Sequence, residues 1–288
     1  MGLDISQALR EGASRTAAKN GLILAGLFAS IALLTTAMFQ TLSVAALDSA
    51  LSAVQSASPQ DLGMTQTDYE EMTDEFETAS ETVQRNSPFA IGLPVGAALG
   101  ALVTLALVAE AVSIVAVRVF ASDETATIPN DLATENILLA TLNGFVGKIV
   151  VWGLVLLGLV FFLLPGLILA VLFYFLRQEI AIKNKNFVQA MADSWRLTKG
   201  HRIEVFLVGF VLVVVSRIEQ VTSAVVGVFS TTAGVFIAAA VGGLLTAFGA
   251  AVVTRAYVQI DDDSEPVETE PEAEKDPYDA ALGPEDLS

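Results

Sequence analysis

The chain has no cysteine and a single histidine, His201. Disulfides, thiolate nucleophiles and cysteine-based metal sites are thereby excluded, and the redox compartment stays open. One imidazole cannot build a polyhistidine metal site or a two-histidine phosphodiesterase centre. Bases are scarce too: fifteen Lys and Arg face thirty-two Asp and Glu, a formal charge of −17. That balance removes the basic footprint of a nucleic-acid binder. No phosphate loop, dinucleotide fingerprint or metal-ligand cluster occurs, so no cofactor is expected. Charged residues make up 16% of the chain, less than the surface of a soluble domain needs.

Hydrophobic length is what the sequence holds instead. Hydrophobic residues reach 53% with a mean hydropathy of +0.62, and they gather in runs of the roughly 17–25 residues a bilayer demands. The expected fold is all-α: a polytopic membrane protein of six transmembrane helices in three hairpins, with cytoplasmic amphipathic helices.

Residues 1–20 carry Arg10, Arg15 and Lys19 beside apolar residues at helical spacing, which fits a cytoplasmic amphipathic N-terminal segment. The apolar run 21–47 is too long for the roughly 7–15-residue core of a signal peptide and is assigned as the first span. The membrane domain is expected over 21–260. Its external loop, 48–88, holds nine acids and one base and is expected to be helical in part. Helix 2, placed at about 89–117, carries Gly92, Gly96 and Gly100 at four-residue spacing, which lets helix backbones approach closely in lipid. Ala239, Gly243 and Ala247 give the last helix a second such face.

Residues 149–182 are a stretch of 34 positions, apolar but for Arg177, Gln178 and Glu179 near its end. As one helix they would measure about 51 Å against a hydrocarbon core of about 30 Å. A hairpin turn at Pro165-Gly166 gives two spans of about 25 Å, workable with local bilayer thinning. With six helices and an internal N-terminus, thirteen of the fifteen bases fall inside and only Arg85 and Arg217 outside. The positive-inside rule then puts both termini in the cytoplasm, with the protein in the cell membrane.

In "NFVQAMADSWRLTKGHR", Asn186 fits an N-cap and Gly200 a stop. Phe187, Met191 and Trp195 share one side of the helix at 187–200, with Ser194 and Thr198; Arg196 and Lys199 lie on the other. An interfacial helix is expected, its apolar side at the acyl boundary and its basic side on anionic headgroups. Residues 261–288 hold twelve acids, one base and four prolines, the composition of a disordered acidic cytoplasmic tail. The acid surplus matches a halophile's composition, because salt screens its self-repulsion.

Two segments carry a resemblance: "LPGLIL" from Leu164 to Leu169, and "QAMADSWRLTKGHR" from Gln189 to Arg202. Together they resemble a broad group of six-helix membrane domains. The group includes YciC-like bacterial inner-membrane proteins, the membrane domain attached to some glycerophosphodiester phosphodiesterases, and an uncharacterised haloarchaeal branch. The resemblance implies a six-helix layout and no catalytic residues. The hydrolase part of the fused relatives is absent from these residues, so phosphodiesterase activity is not implied.

Glu110 lies inside helix 2, and its expected neighbours in depth are Lys148 and Arg177. A charge within a membrane helix is either a packing ion pair or a functional site. The preferred expectation is a structural or accessory protein, not an enzyme. The alternative is a small-solute transporter with Glu110 as coupling residue. The bilayer is the expected partner, with a protein partner for the acidic loop or tail; oligomeric state is open.

Overall fold

Lipid offers no hydrogen bonds to a backbone, so each apolar run must satisfy its own polar groups, and a helix does so within one segment. The computed structural model describes residues 2–264. In chain order it contains α1 (Ile5–Ala17), α2 (Lys19–Ser56), α3 (Gln66–Arg85), α4 (Val95–Ala121), α5 (Asn130–Thr134) and α6 (Ile137–Phe161). There follow α7 (Leu163–Leu172), α8 (Leu176–Lys183), α9 (Phe187–Leu197), α10 (Arg202–Gly227) and α11 (Thr231–Ser264). The protein is all-α, with no strand among the described residues. Six helices there are long and apolar enough to cross a membrane: α2, α4, α6, the α7–α8 pair, α10 and α11.

These six close into a ring. Helix α11 packs on α2 and α10, α2 on α4, α4 on α6, α6 on α7, and α7 lightly on α10. Four helices lie outside the spans: α1, α3, α9 and the short α5, which packs on α4. Helix α1 lies along α11, where Gly12 meets Val252 and Glu11 accepts from Arg255 at 2.5 Å. Helix α3 folds back along the extended end of α2: Ser80 donates to Asp48 at 3.0 Å and Tyr69 to the Val54 carbonyl at 3.1 Å. The acidic 48–88 segment is thus a helical hairpin. Helix α9 covers the end of the bundle where α1 and the end of α11 also lie, called the terminal side below.

Four expectations are corrected. Helix α4 begins at Val95, so Gly92 precedes it, and a Cβ on Gly92, Gly96 or Gly100 would meet nothing within 4 Å. The packed side carries Ala98, which is fully buried; four-residue spacing marks a face without saying that a neighbour lies there. On α11 the small face does meet one: a Cβ on Gly243 would lie 2.5 Å from the Ala29 nitrogen and 2.6 Å from the Ala25 carbonyl oxygen. Ala239 and Ala247 are buried on the same side.

The turn between the third and fourth spans lies at Phe162, whose backbone is extended, rather than at Pro165-Gly166. Pro165 occupies the first turn of α7, where a missing N–H removes no helical bond. Gly166 is where the hairpin legs cross, since a Cβ on Gly158 would lie 2.7 Å from its backbone. Helix α6 starts at Ile137, and its 25 residues measure about 37 Å, so no bilayer thinning is required. Finally, α11 continues through Ser264, so the acidic tail begins helical at 261–264; its remainder lies outside the described residues.

Candidate functional site

Glu110 on α4 is enclosed to 2% exposure. Arg177 on α8 donates to both its oxygens, from Nε at 2.9 Å and from Nη2 at 3.0 Å. Lys148 on α6 stands 3.8 Å away. Room for the carboxylate comes from Gly144, where a Cβ would lie 2.7 Å from Oε1. Three helices thus meet on one charge. A two-pronged guanidinium–carboxylate pair is the arrangement that best compensates a charge withdrawn from water. The three ionised groups sum to +1, and the cations are not enclosed: the side chains of Lys148 and Arg177 are 52% and 35% exposed.

Both cations line a cavity of about 720 Å³ between α6, α7, α8 and α10. Trp152, Phe173, Tyr174, Phe206 and Phe210 give it aromatic walls. Gly209 keeps α10 clear of the Tyr174 ring, 3.3 Å from where a Cβ would be. A second crevice, of about 360 Å³, lies between α2, α10 and α11 and holds Thr36, Thr246 and Glu219. Leu212 and Ser216 on α10 line both spaces. Among the described residues Glu219 has no hydrogen-bond or ion-pair partner.

The terminal side carries a network that the charge pattern alone did not reveal. Glu179, also 2% exposed, accepts from Lys185 at 2.6 Å and from the Tyr257 hydroxyl at 3.1 Å. Lys185 also reaches Asp193 on α9 at 2.6 Å, and Lys183 pairs with Asp261 at 2.6 Å. Arg118 is buried and donates to the carbonyls of Ala181 (2.8 Å), Glu135 (2.6 Å) and Leu132 (3.2 Å), and to Asn184 (3.1 Å). It caps the ends of α5 and α8, whose last carbonyls lack intrahelical donors. The available signal was a glutamate and an arginine flanked by apolar residues at helix ends.

Helix α9 departs from the expected interfacial float. Its cap is as read, Asn186 accepting from Gln189 at 3.0 Å, and Gly200 ends the segment at φ +98°. Its apolar side meets protein, however. Phe187 and Met191 pack on Ile114, Val117, Leu176 and Ile180. Asn143 on α6 accepts from the Phe187 N–H at 3.2 Å. Ser194 fills the break between α7 and α8: its hydroxyl donates to the Leu172 carbonyl at 2.9 Å and accepts from the Phe175 N–H at 3.2 Å. Trp195 sits at the rim, 46% exposed, edge-on to Phe173. Arg196, paired with Asp193, and Lys199 face outward.

A family model described as "Domain of unknown function (DUF7847)" matches residues 3–260. No curated protein and no solved structure matches the chain.

Ser194→Ala should leave the Leu172 carbonyl and Phe175 N–H without partners, at about 1–3 kcal/mol for each unsatisfied group. The expected result is a lower thermal midpoint and faster amide exchange at Phe175. Unchanged exchange there would show that another group holds the break.

Proposed function

We propose that this chain, which belongs to the DUF7847 family, is a structural or accessory protein of the cell membrane, without catalytic activity and with both termini in the cytoplasm. The observation that carries this reading is the clamp on Glu110. A coupling carboxylate must exchange its partner during each cycle. Glu110 has both oxygens on Arg177 and is closed in by Gly144, which favours a fixed lock between α4, α6 and α8. The orientation rests on the thirteen bases that collect on one side of the six spans. The acidic α2–α3 hairpin and the acidic tail supply surfaces for a protein partner, and the acid surplus fits work in concentrated salt.

A second reading has its own observation. Unpartnered Glu219 borders a crevice that shares Leu212 and Ser216 with the larger cavity. In a small-solute or proton carrier built on this ring, exchange would fall to Glu219 rather than Glu110.

Reconstituted vesicles with an internal pH dye and an imposed potential separate the two. The lock reading expects proton entry no faster than in protein-free vesicles, unaltered by Glu110→Gln or Glu219→Gln. Entry abolished by Glu219→Gln would establish the carrier reading. Orientation is checked in intact cells, where an impermeant thiol reagent should modify Thr73→Cys and spare Ala192→Cys. The reverse pattern would invert the topology.

A further inference from the structure

We propose that the cavity between α6, α7, α8 and α10 is a binding site for one anionic membrane phospholipid, its phosphate held by Lys148 and Arg177 and an acyl chain lying along the aromatic wall. Charge comes first. Arg177 spends Nε and Nη2 on Glu110, and Nη1 makes no hydrogen bond among the described residues. Lys148 touches Glu110 only at 3.8 Å and is half exposed into the cavity. One carboxylate against two cations leaves a surplus of +1 within the membrane span, where an uncompensated charge is costly. An anion arriving from the bilayer removes that cost.

Shape and access select an amphiphile. Beyond the ion cluster, the walls are aromatic and aliphatic, with Ser216 and Tyr174 the other polar side chains. A hydrated inorganic anion would lose its water against such a lining without replacement. An acyl chain loses nothing there. Trp152, Leu167, Phe210 and Val213 border the cavity while remaining 41–57% exposed on membrane-spanning helices, so its mouth opens sideways toward lipid chains. The volume of about 720 Å³ lies within the roughly 300–1,000 Å³ of ligand sites.

Depth agrees. Asn143 on α6 meets the start of α9, and α9 carries half-exposed Trp195 at the level such residues take at an interface. Lys148 lies five residues, about 7 Å, farther into the span. A phosphate on Lys148 is therefore drawn a short way below the headgroup plane while its chains remain among other chains.

The chain has two tryptophans, so Trp195→Phe leaves Trp152 in the cavity wall as sole reporter. In mixed vesicles, brominated phosphatidylglycerol as a minor component should quench Trp152 as strongly as about fivefold more brominated phosphatidylcholine, the enrichment that about 1 kcal/mol for the one unbalanced positive charge supports. Lys148→Gln should abolish the preference with the thermal midpoint retained, and Lys148→Arg should keep it. Excess inorganic phosphate should not relieve the quenching. Equal quenching by both lipids, or a preference that survives Lys148→Gln, would overturn the site. So would relief by inorganic phosphate, which marks a small-anion site. Loss of the preference in Arg196→Gln with Lys199→Gln would also overturn it, since the anionic lipid would then be held by the outward face of α9.

Discussion

Glu110 and Arg177 set the terms for the rest of this structure. An ionised carboxylate among apolar helices persists only beside a counter-charge that meets it with good geometry, because the loss of hydration costs several kcal/mol per ion. Arg177 meets that requirement from α8, which places α8 against α4, and Gly144 brings α6 into the same contact. Helix α8 can reach that position because the chain breaks after Leu172. The break in turn frees backbone groups, and Ser194 from α9 satisfies them. One buried charge thus fixes two spans, a broken helix and the segment that covers its break.

Elsewhere the ring is held by shape. Between helices immersed in lipid there is little hydrophobic drive, so close approach of backbones carries the packing. Gly243 on Ala25 and Ala29, and Gly158 on Gly166, are two such approaches. The α7–α10 seam lacks one. Gly209 faces the Tyr174 ring rather than a backbone, and the large cavity opens along this seam.

The six spans were legible in the sequence because bilayer thickness dictates run length, and the count follows from length with charge at the ends. Glu110, Lys148 and Arg177 were legible as a group because few other charges fall within apolar runs at matching depth. The faces were not. Every side of a membrane helix is apolar, so the spacing of Gly92, Gly96 and Gly100 could not reveal that their side of α4 has no neighbour, nor that Ala98 is on the packed one. Periodicity likewise placed Phe187 and Met191 on one side of α9 but could not say whether lipid or protein lay beneath. The role of Ser194 depends on a backbone break at its acceptor Leu172, 22 residues away in sequence, which no local pattern encodes.

The lock is tested most directly by a double-mutant cycle on Glu110→Gln and Arg177→Gln, read as unfolding free energy in detergent micelles. Arg177→Gln should strand the buried Glu110 carboxylate and cost about 3–5 kcal/mol, as broken buried pairs do, whereas Glu110→Gln leaves a guanidinium that is 35% exposed and should cost less. The double variant, in which half-exposed Lys148 is the one charge of the cluster that remains, should be more stable than Arg177→Gln alone, a strongly non-additive cycle. Additive losses, or single variants as stable as the parent, would mean that the pair does not hold α4 to α8 and that the ring is maintained by packing alone.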